Sequence, residues 1–116
     1  MGNLIQLITP ENFAHEVLSE KRPVLLLCMP QNDDFPSQAA SMETIAALHG
    51  EWIKTGLLAD AFVEYFMKKL VVAGTPTYLI FFEGKEKDRV LGLVDIRGLE
   101  QFVFDVMAQV KKRPVT

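Results

Sequence analysis

The sequence predicts an α/β fold, a mixed central sheet with helices on both faces in the order βαβαβαββα. Three observations carry this expectation. Val24 to Met29 is an unbroken apolar run, short enough for a strand buried on both faces. Thr77 to Phe82 is a second strong strand, and a turn at Glu83-Gly84-Lys85 leads to a return strand at Arg89 to Val94, which makes a hairpin. Between these runs, apolar residues recur at helical spacing. A strand–helix–strand opening that closes on a hairpin and a helix implies a mixed sheet covered on both sides.

The elements follow in order. Leu4, Ile5, Leu7 and Ile8 form a short first strand. Thr9 and Pro10 start a helix as N-cap and first helical residue. Phe13, Val17 and Leu18 give it an apolar face, and Lys21-Arg22-Pro23 ends it. After the Val24–Met29 strand, a polar turn from Pro30 to Pro36 leads into a helix running to about Leu48 and stopped near Gly50. Met42, Ile45, Ala46 and Leu48 are its apolar positions. A third strand lies within Trp52 to Ala61. Phe62 to Leu70 reads as helical, with Phe62, Phe66 and Leu70 four apart and Lys68 and Lys69 in the last turn, where the helix dipole favours cations. The last helix spans roughly Gly98 to Lys111, with Leu99, Phe102, Val103, Val106, Met107 and Val110 on its apolar face.

The 116 residues suit a single domain, 1–116, with 110–116 as a frayed basic tail. A net charge of −3 leaves no electrostatic footprint for nucleic acid. No apolar run approaches the ~20 residues of a membrane span, and Met1 to Ile8 lack the pattern of a signal peptide. The cytoplasm is therefore the expected location. One cysteine, Cys28, excludes an intramolecular disulfide. There is no Gly-rich phosphate loop and no paired Cys or His motif, so neither a cofactor nor a metal is expected.

One segment carries a resemblance. Val72-Ala73-Gly74-Thr75-Pro76-Thr77, then Tyr78-Leu79-Ile80-Phe81-Phe82, Gly84, Arg89-Val90 and Gly92 resemble the thioredoxin run in which a Gly-X-Pro-Thr turn opens the fourth strand. The order of elements resembles that family over nearly the whole chain. The resemblance implies a thioredoxin-like three-layer α/β/α sandwich and a cis Thr75–Pro76 bond. It also locates the degenerate active-site positions: Asp34, Phe35, Pro36 and Ser37 stand where a Cys-Gly-Pro-Cys motif would be. A gapless register would use Asp33 and Pro36 instead, and neither register supplies a thiol.

A dithiol reductase needs one thiol to attack and another to resolve the mixed disulfide. This chain cannot run that cycle alone, so it is not expected to be a disulfide oxidoreductase. The family's proton-relay aspartate has no counterpart in Leu25-Leu26-Leu27-Cys28, and the lysine of many members' third strand is replaced by Leu57 or Leu58. The resemblance implies instead a redox-inactive binding or assembly module. Its peptide-binding positions would be Phe35, Pro36, Thr75, Pro76, Gly92 and Leu93, and its partner an unidentified protein or extended peptide. A homo-oligomer stays open.

Each candidate also has a plainer reading. Phe35 packs on its own helix or anchors a partner, and both stay open. Asp33 and Asp34 precede a helix, where carboxylates accept free backbone N–H groups. Ser37 has no adjacent base, since His15 and His49 read as solvated helix positions. Trp52 reads as core or core edge, and Phe62, Tyr65 and Phe66 as core. Cys28 reads as a small buried hydrophobe. The alternative is a single reactive thiol, alone or with a second thiol supplied by a partner.

Overall fold

A computed structural model describes residues 5–111. Five strands form one mixed sheet: β1 (Gln6–Ile8), β2 (Val24–Cys28), β3 (Lys54–Leu58), β4 (Thr77–Phe82) and β5 (Lys85–Leu91), in the order β1-β3-β2-β4-β5 among the described residues. β1 and β2 run parallel to β3, while β4 is antiparallel to both β2 and β5. Three α-helices accompany them: α1 (Phe35–His49), α2 (Val63–Lys69) and α3 (Ile96–Lys111).

β2 is wholly buried, as its unbroken apolar sequence requires. Its side chains alternate between two cores. Val24, Leu26 and Cys28 join Phe13, Val17, Val63 and Phe66 on one face. Leu25, Leu27 and Met29 join Met42, Ile45, Leu99, Val103 and Val106 on the other. β4 alternates likewise, sending Leu79 and Phe81 to the first core and Tyr78 and Ile80 to the second. The sheet thus separates α2 and the segment after β1 from α1 and α3.

Several local expectations need correction. The helix after β1 is cut to a π-helical turn, Ala14–Leu18, closed by the Ser19 N–H donating to the Ala14 carbonyl at 2.9 Å. Thr9 does cap it. Its Oγ1 accepts from the Asn12 N–H at 3.4 Å, while Asn12 Oδ1 accepts from the Thr9 N–H at 2.8 Å. A 3₁₀ turn, Asp60–Phe62, precedes α2 and breaks the four-residue phase between Phe62 and Phe66. Val63 therefore takes the core position, and Phe62 and Tyr65 are exposed. Leu48 is exposed as well, because the buried stripe of α1 runs through Gln38, Met42, Ile45 and Ala46.

The return strand begins earlier than its apolar residues suggest. β5 starts at Lys85, directly after the turn, and a bulge between Ile80 and Phe81 of the pairing leaves Lys87 without an opposite residue. The basic tail also begins later than expected. Val110 packs on the second core and Lys111 still belongs to α3, because the apolar stripe of that helix continues through Met107 to Val110. The remainder of the tail, 112–116, lies outside the described residues, as does Leu4 of the first strand. His49 is not a solvated position. Its Nε2 lies 3.0 Å from Glu100 Oε2, and its ring meets Trp52 and Phe104 edge-on, joining α1 to α3. Trp52 sits at the edge of this cluster. No helix among the described residues is long and apolar enough to cross a membrane.

Candidate functional site

Three connecting segments meet at the end of the sheet where β2 finishes and β4 begins. They are the turn into α1, the turn into β4 and the loop from β5 to α3.

The first turn is built by Asn32 rather than by the aspartates. Asn32 Oδ1 accepts from the Asp34 N–H at 3.0 Å, and its carbonyl accepts from the Phe35 N–H at 3.1 Å. Asp34 occupies the N-cap position but already has helical backbone angles, φ −85° and ψ −13°, and its side chain makes no capping bond. An N-cap carboxylate reaches the amides of the first turn from an extended backbone, so Asp33 and Asp34 are left exposed instead. The Ser37 hydroxyl donates to the Asp34 carbonyl at 3.1 Å. Gln31 donates its N–H to Asp60 Oδ1 at 2.8 Å, which ties this turn to the end of β3. Phe35 is half-buried against the second core, while Pro36 and Ser37 are exposed.

In the second segment the Thr75–Pro76 peptide bond is cis. Pro76 is buried, and the Thr77 hydroxyl donates to the Gly74 carbonyl at 2.6 Å. Among the described residues, neither the N–H nor the carbonyl of Thr75 has a hydrogen-bond partner. The approach to this turn is held from β5. Arg89 donates to the carbonyls of Leu70 and Val71 at 2.8 and 2.7 Å, satisfying the C-terminal end of α2.

The third segment is fastened to the second. Gly92 donates its N–H to the Pro76 carbonyl at 2.8 Å. Gly92 has φ +120°, a conformation that a residue with a Cβ adopts only under strain. Leu91 and Leu93, on either side of it, are each 59% exposed.

Gln38 joins all three segments, and sequence reasoning missed it. Its side chain is buried on α1. Its Oε1 accepts from the Tyr78 hydroxyl at 2.5 Å and from the Val94 N–H at 3.1 Å. Burial holds the Tyr78 phenol well above its usual range, so it stays protonated and donates. The available signal was positional. Gln38 lies one turn before Met42 on the core-facing stripe of α1, where a polar residue needs a partner. Beside it, Ser37, Ser41, Leu93, Asp95 and Ile96 line an open groove of about 810 Å³.

Cys28 stands apart from this arrangement. Its side chain enters the first core, on the opposite face of the sheet from Gln38 and Tyr78. It is fully buried, and burial pushes its thiol up to about 11, against a smaller opposing pull from Arg89. The thiolate is the reactive form, so a thiol in this setting is a weak nucleophile at neutral pH. No group of three His, Cys, Asp or Glu side chains among the described residues could hold a metal ion.

No protein-family model matches the sequence, and no curated protein is significantly similar to it.

Proposed function

We propose that this protein is a redox-inactive module of thioredoxin-like fold that binds an extended segment of a partner protein through the face formed by Phe35, Pro36, Thr75, Pro76, Gly92 and Leu93. The observation that carries the reading is the unpaired N–H and carbonyl of Thr75, beside the exposed side chains of Leu91 and Leu93. An unpaired backbone donor and acceptor can take an added strand, and flanking apolar side chains supply the contact area. The sheet order supports the thioredoxin-like assignment. Two features argue for binding rather than disulfide exchange. Asp34 and Ser37 occupy the first turn of α1, and the one thiol lies in the other core.

The test is peptide binding followed by amide NMR. A fluorescein-labelled extended peptide with an alternating apolar frame should shift the signals of Thr75, Gly92 and Leu93 together. Leu93→Asp should weaken that binding about tenfold, the loss of ~1–2 kcal/mol expected for one apolar anchor, with the melting temperature unchanged. Shifts confined to another surface, or no binding of any extended peptide at millimolar concentration, would sink the reading.

A further inference from the structure

The site has a charge pattern that selects among extended partners. The segments that surround it are 29–38, 59–62, 72–77 and 91–96, and none of them contains a lysine or an arginine. They contain Asp33, Asp34, Asp60 and Asp95, and all four are exposed. Bonds and lining already described place these carboxylates around the site. Asp33 and Asp34 belong to the turn into α1, and Asp60 is bonded to that turn through Gln31. Asp95 lines the groove with Ser37 and Leu93 and caps α3 by accepting from the Gly98 N–H at 2.8 Å. The cations nearest in sequence are Lys68, Lys69, Arg89 and Arg97, each outside these segments, and Arg89 is already paired with Glu86.

Among the described residues, none of these carboxylates has an ion-pair partner. Asp33 and Asp34 do not cap α1 with their side chains, so the local hydrogen bonding does not account for two adjacent charges there. A partner strand laid beside Thr75 and Leu93 would pass close to these carboxylates. An acidic strand would be repelled by them, and a neutral one would gain nothing from them. Charges at the rim of a contact set partner choice and association rate more than total affinity.

We infer that the segment taken by this site is basic as well as apolar, an extended strand with lysine or arginine flanking a β-branched or leucine centre. This rests on the binding reading above and specifies the chemistry of its partner.

The experiment uses three fluorescein-labelled nonapeptides that share one alternating valine–leucine frame and carry two lysines, two glutamines or two glutamates at the flanks. Fluorescence anisotropy with the intact protein should give affinities in the order lysine, glutamine, glutamate. Neighbouring steps should differ by about threefold to tenfold in low salt, a difference that shrinks as salt screens exposed charges. The double variant Asp33→Asn, Asp34→Asn should cut binding of the lysine peptide about threefold and leave the glutamine peptide unchanged, since both side chains are exposed. Equal affinities for the three peptides would overturn the charge inference while leaving the binding reading in place. Tighter binding of the glutamate peptide would overturn it more directly. If none of the three binds, the reading itself fails and the inference falls with it.

Discussion

Alternate residues of β2 and β4 supply two separate cores, and the cores differ in what they bury. On the face shared with α2, Leu26, Cys28, Leu79 and Phe81 meet Phe13 and Phe66, and the contacts are apolar or aromatic. On the face shared with α1 and α3, Leu25, Leu27 and Ile80 are joined by Tyr78, which carries a buried hydroxyl bonded to Gln38. Apolar contacts are non-directional and tolerate small readjustments of neighbouring side chains. A buried hydrogen-bonded pair does not, because a displaced donor or acceptor is left without water or partner. The loop from β5 to α3 is fastened to α1 on the polar face, through Gln38. Stability can therefore reside in one layer and the geometry of the site in the other.

Three variants break or sharpen that division. The largest effect is expected from Phe66→Ala, which removes a ring 1% exposed at the centre of the apolar layer. It should cost ~3–5 kcal/mol in urea unfolding, while amide exchange at Val94 stays as slow, relative to the new global stability, as before. A selective rise in exchange at Val94 would mean that the two layers are not separable.

The next effect is alkaline. Cys28 is pushed up to about 11 in the folded protein, and an unfolded thiol titrates near its ordinary value of 9.0. Between those values the unfolded chain loses its proton first, so stability falls as pH rises from 9 towards 11 and is fully retained below 9. The thiol contributes on the order of 2–3 kcal/mol to that fall, and Tyr78, raised from its ordinary value of 10.0, adds to it in the same direction from about pH 10 upward. Cys28→Ala should flatten the stability profile across this range; an unchanged slope would mean that Cys28 is accessible in the native state.

Gln38→Leu should have the smallest effect on stability and the most local one. It strands the Tyr78 hydroxyl and the Val94 N–H, at a cost of ~1–3 kcal/mol, and the open groove beside Gln38 lets water offset part of that. Faster amide exchange at Val94 should accompany it. Combined with Phe66→Ala, the two costs should add to within ~0.5 kcal/mol. A neutral Gln38→Leu with unaltered exchange would show that the polar pair does not hold the loop.

What the sequence revealed and hid follows from the range of each interaction. β2 and β4 were legible because their burial is written in adjacent residues. β4 spans Thr77 to Phe82, the bounds of its apolar run. The beginning of β5 was hidden by Lys85-Glu86-Lys87-Asp88, a charged run that reads as a turn but serves as an edge strand with one side in water. Phe62 was misplaced because a 3₁₀ turn shifts the helical phase just before α2. At the site, Thr75, Pro76, Gly92 and Leu93 were singled out through the resemblance of residues 72–92 to the thioredoxin run. Gln38 and His49 were not, since their partners lie 40, 51 and 56 residues away. A pairing of that range leaves no periodic trace in one sequence.

The two outer strands have a consequence for how this protein behaves in company. β1 is three residues long, and β5 carries lysines 85 and 87 with a bulge between its pairs to β4. Adding a foreign strand to either border would meet too short a template on one side and would desolvate ammonium groups on the other. Fibre-like growth from these borders is therefore discouraged, and concentrated or partly unfolded preparations should clump through exposed core side chains rather than through sheet extension.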